Sequence, residues 1–382
     1  MPGSALPLTS LETASGIIVG GGHRLRQIDD SNPTEPRVAL REVIRDTLVN
    51  PPCLVAFSGG RDSSAVLAVA TSVAREEGLD LPVPVTNVFP LAPDTDETEW
   101  QEMIIRHLDS PDWLRLEWED ELDLLGPMAT KALSRHGLLW PANCHFMAPL
   151  LEAAWGGSLI TGVGGDELFG WWPWARAASV LAGASRPEIR DVFRVGFAFS
   201  PPSVKRWVLR RRSGVDLPWL TSKAQGELIA LSTAEDATMP TTWPKRVFWL
   251  VGRRYIEVML RSMDVLAGEA GTRIVHPLLD ARFVAAVATA PGPVGFPTRT
   301  GAMSTLFADL LPEAILGRDS KTSFDTIFWN RHARSFASAW DPTGVDTTLV
   351  DIEKLRVTWL SPTPDARSAT FLQAAWLASP LG

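Results

Sequence analysis

The sequence predicts an α/β chain: a doubly wound parallel sheet followed by a helical C-terminal region. Three observations carry this. Leu54-Val55-Ala56-Phe57 is a short apolar run ending in Ser58-Gly59-Gly60, the pattern of a buried strand entering a tight turn, and a helical segment follows from about Asp62 to Glu77. Ser158-Leu159-Ile160-Thr161 repeats that pattern and runs into Gly162-Val163-Gly164-Gly165-Asp166-Glu167-Leu168-Phe169-Gly170. From roughly Ala175 onward strands disappear, and helical segments broken at Pro201-Pro202, Pro218, Pro240 and Pro244 take over. Short strands alternating with helices build parallel sheets.

In chain order, residues 1–36 are read as an N-terminal linker with one strand-like run, Gly16-Ile17-Ile18-Val19. Pro36 to Val49 has apolar residues at Val38, Leu40, Val43, Ile44 and Leu48, near-helical spacing behind a proline. Val83 to Phe89 reads as the next parallel strand, and Asp94-Thr95-Asp96-Glu97 as the acidic start of a helix reaching about Leu108. Residues 113–118 are expected to be a strand and 120–135 a helix. Trp140 to Trp155 is expected to lead, as a mostly apolar helix, into the second glycine segment. The expected organisation is 1–36 as a remnant hairpin, 37–185 as an α/β core and 186–382 as a helical part completing the same unit.

The chemistry is expected at the two glycine turns. Gly59 and Gly60 let backbone approach a ligand closely. The helix behind them presents free N–H groups and the positive end of its dipole, which suits a phosphate. Ser58, Ser63 and Ser64 add hydroxyl donors. Asp62 would repel a bare phosphate, so its presence suggests a bridging Mg²⁺. Two such units place Asp62 and Asp166 at the carboxyl ends of neighbouring strands, where doubly wound sheets bind ligands. The plainer alternative is a pair of ordinary strand-turn-helix units whose acids only cap helices.

Composition narrows the class. A 382-residue chain with 45% hydrophobic and 21% charged residues builds a sizeable core. A net charge of −8 argues against a general nucleic-acid binder. Cys53 and Cys144 form no Cys-x-x-Cys pair, so neither a disulfide framework nor a zinc site is indicated. No signal sequence or membrane-length apolar run is seen, and a cytoplasmic location is expected. His136 and His145 stand alone and are read as structural. The cluster Trp171-Trp172-Pro173-Trp174 either lines a substrate mouth or packs. Two basic stretches, Lys205-Arg206 with Arg210-Arg211-Arg212 and Lys245-Arg246 with Arg253-Arg254, are read as solvated helix faces, with an acidic peptide or partner as the alternative.

Ser58-Gly59-Gly60-Arg61-Asp62-Ser63 resembles the pyrophosphate (PP) loop of the N-type ATP pyrophosphatases, an adenine nucleotide alpha hydrolase-like fold. Gly162 to Phe169 resembles the second signature of one branch, the synthetase domain of asparagine synthetases. Val275-His276-Pro277-Leu278-Leu279-Asp280 is similar to that family's Pro-x-Leu-Asp segment, and Leu311 to Lys321 to its Leu-Pro…Arg…Lys segment. The resemblance covers most of residues 37–330. The ending, Phe371 to Leu377 with Trp376, looks most like the lasso-peptide macrolactam synthetases.

The resemblance implies ATP and Mg²⁺ as cofactors and an AMP-forming amide ligase. It places Ser58, Gly59, Gly60, Arg61, Asp62, Ser63, Ser64, Gly164 and Gly165 around the nucleotide, and Asp62 and Asp166 on the metal. By position alone, Val85, Asn87 and Phe89 flank the adenine, although a plain core strand describes their side chains equally well. Lys321, Arg318, Asp166 and Glu167 become the catalytic candidates, with Lys321 stabilising developing negative charge. Gly20-Gly21-Gly22-His23-Arg24-Leu25-Arg26 is similar to the hairpin joining glutaminase and synthetase domains. Met1-Pro2 offers no N-terminal cysteine, so no glutamine hydrolysis is expected.

Two departures matter. Val163 stands where asparagine synthetases carry Glu and β-lactam synthetases Tyr, and Arg273 stands where asparagine synthetases carry an acid. Both argue against asparagine or β-lactam formation and leave the amine's general base unassigned. The expected partners are a small-molecule or peptide carboxylate and an amine acceptor, with a precursor peptide, leader-binding protein or separate glutaminase as protein partners. The alternatives are an ammonia-using asparagine-synthetase-like amidotransferase and an inactive ATP- or peptide-binding protein.

Overall fold

The computed structural model describes residues 5–22, 34–170, 172–183, 185–296, 298–318 and 324–380. Its centre is a five-stranded sheet in the order β3-β2-β1-β4-β5, with β1 Cys53–Ala56, β2 Val83–Val88, β3 Leu114–Glu117, β4 Ser158–Ile160 and β5 Arg273–Val275. All pairings are parallel, and Leu54 faces Val83 on one side and Leu159 on the other. The expected doubly wound sheet is therefore present. The C-terminal region is helical with one addition: β5 joins the sheet beside β4, in a stretch expected to hold no strand.

The helix Arg61–Glu77 lies under β1 with Val66, Leu67, Val69, Ala70 and Val73 buried, and Gly78 ends it in the left-handed conformation. The helix Pro36–Leu48 starts on its proline and buries Leu40, Val43, Ile44 and Leu48, matching the expected spacing. One large core joins this layer to Trp243, Phe283, Phe307 and Leu316 from the C-terminal region. A second core links Leu11 and Ala14 near the N-terminus to Trp219, Trp340, Trp359 and Leu372. Trp219 Nε1 donates to the Ala14 carbonyl at 2.8 Å, tying these distant segments together.

Several local expectations are corrected. Residues 16–19 form no strand; the local element is the helix Ser10–Ser15, closed by Gly16. Residues 23–26 of the expected hairpin lie outside the described residues. The helix expected over 120–135 is only Pro127–His136. Before it, Asp123 accepts from the N–H groups of Leu125 and Ala333, fixing a turn instead. Trp140 to Trp155 breaks into a 3₁₀ turn, Cys144–Met147, and a helix, Ala148–Ala153, because Pro149 fits only a first turn. The helix expected behind Asp94-Thr95-Asp96-Glu97 is present as Thr98–His107, with Glu97 at its N-cap and Asp96 accepting from the Thr98 N–H at 2.9 Å.

The side chains of Trp172 and Trp174 are buried, so the described tryptophans of that cluster pack rather than line a mouth; Trp171 lies outside the described residues. The basic stretches are not uniformly solvated. Lys205 is buried over Trp174, and Arg246 is buried with its guanidinium donating to the Leu168 and Gly170 carbonyls. Arg210, Arg211 and Arg212 are exposed. Among the described residues no helix is long and apolar enough to cross a membrane.

Candidate active site

The site forms where the chain leaves β1 and β4. Phe57 continues β1 and donates its N–H to the Val85 carbonyl at 2.9 Å. The backbone then turns through Gly59, whose φ of +79° places it in the left-handed region that glycine tolerates. A hydroxyl network closes the turn: Ser58 Oγ and Ser63 Oγ lie 3.1 Å apart, and Ser63 Oγ donates to the Gly60 carbonyl at 3.1 Å. The first-turn N–H groups of Arg61–Glu77 have no carbonyl of their own helix to reach and face the mouth of this turn. Ser64 Oγ is buried without a hydrogen-bond partner.

The turn is clamped from behind. Arg318 donates to the Gly59 carbonyl at 2.9 Å and pairs with Glu97 at 2.5 Å, its guanidinium 4.8 Å from the Trp100 ring centroid. Gln101 donates to the Ser58 carbonyl at 3.3 Å. Arg318, expected beside the reacting groups, is therefore a positioning residue whose buried fork is committed to the loop and to Glu97. Arg61 reaches Thr300 Oγ1 at 3.4 Å.

The second turn meets the first directly. A Cβ on Gly162 would lie 2.7 Å from the Ser63 nitrogen, and one on Gly165 would lie 2.2 Å from Asp62 Cγ. Gly165 is thus a cradle that the Asp62 carboxylate fills. Gly164 has φ +108° and faces Leu279. Asp62 and Asp166 converge on one cation, the guanidinium of Arg299: Nη2 lies 2.5 Å from Asp62 Oδ2, and Nη1 bonds Asp166 Oδ1. Asp62 Oδ1 stays buried without a partner. Burial holds the Asp62 carboxyl above the usual range, Arg299 pulls it down and Asp166 pushes it up.

Glu167 is half-buried and accepts from the Tyr255 hydroxyl at 3.3 Å. Burial raises its carboxyl above the usual range, and the charges of Asp166 and Asp62 add to the rise. Thr161, at the end of β4, is bonded to His276 Nδ1 at 2.6 Å, joining the ends of β4 and β5.

A Mg²⁺ fits this arrangement. The pair of carboxylates, the orphaned Asp62 oxygen and the guanidinium already standing between them mark a cation position. Among the described residues no cluster of three or more His, Cys, Asp or Glu side chains is arranged for a metal. A Mg²⁺ is ordinarily held by one or two carboxylates together with substrate phosphates.

The adenine candidates are partly redistributed. Val85 is fully buried in the core, so its side chain is a packing residue. The Asn87 amide is spent within the protein, donating to the Phe146 carbonyl and accepting from Trp118 Nε1, each at 2.9 Å. The Phe89 ring stacks on Phe146 at 5.7 Å. Asn87 and Phe89 nevertheless line a cleft of about 330 Å³ with Thr95, Gln101 and Arg115, reaching the loop through Gln101. A larger cleft, about 390 Å³ beside Trp155, Lys131 and Gly271, adjoins the amino ends of β4 and β5 and is far from this chemistry.

Lys321 lies outside the described residues. Arg299 and Tyr255 were missed from sequence. Arg299 is the first residue of the helix Arg299–Phe307, where the dipole disfavours a cation, but that boundary emerges only in the structure. Val163 packs against the core, and Arg273 opens β5 at the strand end away from the two turns.

No curated protein matches the chain. The family model for asparagine synthase matches residues 37–370, spanning both turns, the helical region and the Leu311 to Arg318 segment. The chain therefore belongs to the asparagine synthase family, whose members are ATP-dependent, amide-bond-forming ligases.

Proposed function

We propose that this protein adenylates a substrate carboxylate and passes the acyl group to an amine, within peptide tailoring of the macrolactam-forming type. The observation that carries the proposal is the convergence of Asp62 and Asp166 on one cation position beside the Gly59–Gly60 turn. The residues from Ser58 to Ser64 hold the β- and γ-phosphates through N–H and hydroxyl donors. Asp62 and Asp166 would hold Mg²⁺, which when bound would supply charge neutralisation to the departing pyrophosphate. The cleft behind Asn87 and Phe89 takes the adenine.

A carboxylate oxygen attacks the α-phosphorus, the bond to the bridging oxygen breaks, and pyrophosphate leaves. An amine then attacks the acyl carbon, AMP departs with the former carboxylate oxygen, and the amine loses one proton. Glu167, whose carboxyl is raised by burial and accepts from the Tyr255 hydroxyl, is the group that exchanges a proton with the amine. Lys321 stabilises the developing negative charge. The amine in this proposal is a peptide's own N-terminus and the acid its Asp or Glu side chain, which removes any need for ammonia. A leader-binding protein is the expected partner.

The test is pyrophosphate release from Mg·ATP, with precursor-like peptides in one series and aspartate plus ammonium in another. Release with a peptide that loses the mass of one water supports the proposal. Release only with aspartate and ammonium transfers the chain to ammonia-dependent asparagine formation. Asp62→Ala and Asp166→Ala should each abolish release while the protein stays folded. Lys321→Ala should lower turnover by about 10²–10³, the scale of one lost charge-stabilising donor.

A further inference from the structure

We infer that Arg299 is a resident counter-cation of the metal position, holding Asp62 and Asp166 together in the nucleotide-free protein and passing to the pyrophosphate once Mg·ATP displaces it. The inference rests on the ATP-site reading above. Its starting point is a contrast between two arginines at the same loop. Arg318 is built in: both ends of its fork are bonded, to Gly59 and Glu97, and its face covers Trp100. Arg299 spans carboxylates from two different strand ends, yet its Nε–H is buried without a partner, as is Asp62 Oδ1.

A buried ion pair kept for stability has its remaining donors and acceptors satisfied. The part-buried contact of Arg299 with Asp62 leaves a buried atom unsatisfied on each side, while Asp166 is exposed. Arg299 also opens the helix Arg299–Phe307, capped by Thr298, where the dipole opposes a cation. Its side chain is about a quarter exposed, so it has a path outward. A guanidinium that leaves the two carboxylates remains next to the phosphate-binding turn, where its planar fork suits a bidentate grip on phosphate oxygens.

The device has two consequences. The carboxylates are never left as an unpaired charge pair when no nucleotide is bound. Free divalent metal must compete with a tethered cation, so metal enters with ATP rather than before it.

The experiment uses the full chain and titrates Mn²⁺ without nucleotide, followed by electron paramagnetic resonance, on wild type, Arg299→Gln and Arg299→Lys. Loss of an adjacent guanidinium alters a carboxylate's proton affinity by 1–3 decades, so Arg299→Gln should bind Mn²⁺ about 10- to 1000-fold more tightly than wild type, with Arg299→Lys between. In a second measurement, inorganic pyrophosphate competing with ATP should inhibit Arg299→Gln about tenfold more weakly than wild type, the scale of one charge-assisted contact. Equal Mn²⁺ affinity in wild type and both variants, with circular dichroism unchanged, overturns the counter-cation while leaving the ATP site standing. Absence of Mn²⁺ binding in all three, even with a non-hydrolysable ATP analogue, overturns the metal site itself and this inference with it.

Discussion

Replacing Gly165 by alanine puts a methyl group where the Asp62 carboxylate sits. The new Cβ would lie 2.2 Å from Cγ, 2.4 Å from Oδ1 and 2.6 Å from Oδ2, whereas ordinary contact begins at 3.4 Å, so the carboxylate must retreat by about 3.4 − 2.2 = 1.2 Å. The Gly165 backbone itself is not in the left-handed region, so alanine is tolerated there conformationally. The damage therefore falls on the position of one carboxyl rather than on the fold. A misplacement of about 1 Å at a reacting centre costs about 10² in rate. Pyrophosphate release by Gly165→Ala should fall by that factor, and the thermal midpoint should stay close to that of wild type. Gly196→Ala is the control: nothing lies within 4 Å of its added Cβ, and it should keep full activity. Wild-type turnover in Gly165→Ala would refute the reasoning, because Asp62 would then be displaced without consequence.

Arg318→Ala should destabilise the protein by about 3–5 kcal/mol, read by chemical denaturation, since it strands the buried Glu97 carboxylate and the Gly59 carbonyl. Asp191 is held well below the usual carboxylate range by Arg176, with help from the Glu188 N–H, so its stabilising contribution is full above the usual carboxyl pKa and is lost as pH falls below it. The acid limb of a plot of thermal midpoint against pH should accordingly be steeper in wild type than in Asp191→Asn. Burial pushes Cys53 up to about 11 and Cys144 up to about 12, and both thiols should resist a disulfide reagent at pH 8 until the chain is unfolded.

The parts of the fold legible in sequence are those fixed by contacts near in sequence. Leu54 to Ala56 is apolar because β1 is central in the sheet, and the glycines mark where it must turn. β5 was invisible because three residues, Arg273–Val275, carry no period; it is a strand only because β4 offers an edge. The helix expected over 120–135 failed for a related reason. Asp123 is buried and satisfied by N–H groups of Leu125, His332 and Ala333, the last two over two hundred residues on. The pair Asp62 and Asp166 was legible from its glycines. Arg299 was not, since it meets them across separations of 237 and 133 residues.

The strand order explains why those two acids meet at all. From β1 the chain moves outward to β2 and β3 on one side, then returns to place β4 and β5 on the other. The turns after β1 and β4 therefore leave the sheet at the point where its winding reverses, and a crevice opens between them. Gly162 and Gly165 bring the second turn against the first closely enough that no side chain fits between. Asp62, largely buried, and the exposed Asp166 repel each other, and a positive charge between them offsets that repulsion. The chain supplies one from a third element, the helix Arg299–Phe307, on a side chain that remains partly exposed. A charge provided in that way can be exchanged for another, whereas Arg318, sealed behind the loop, cannot be withdrawn without loosening the turn it holds.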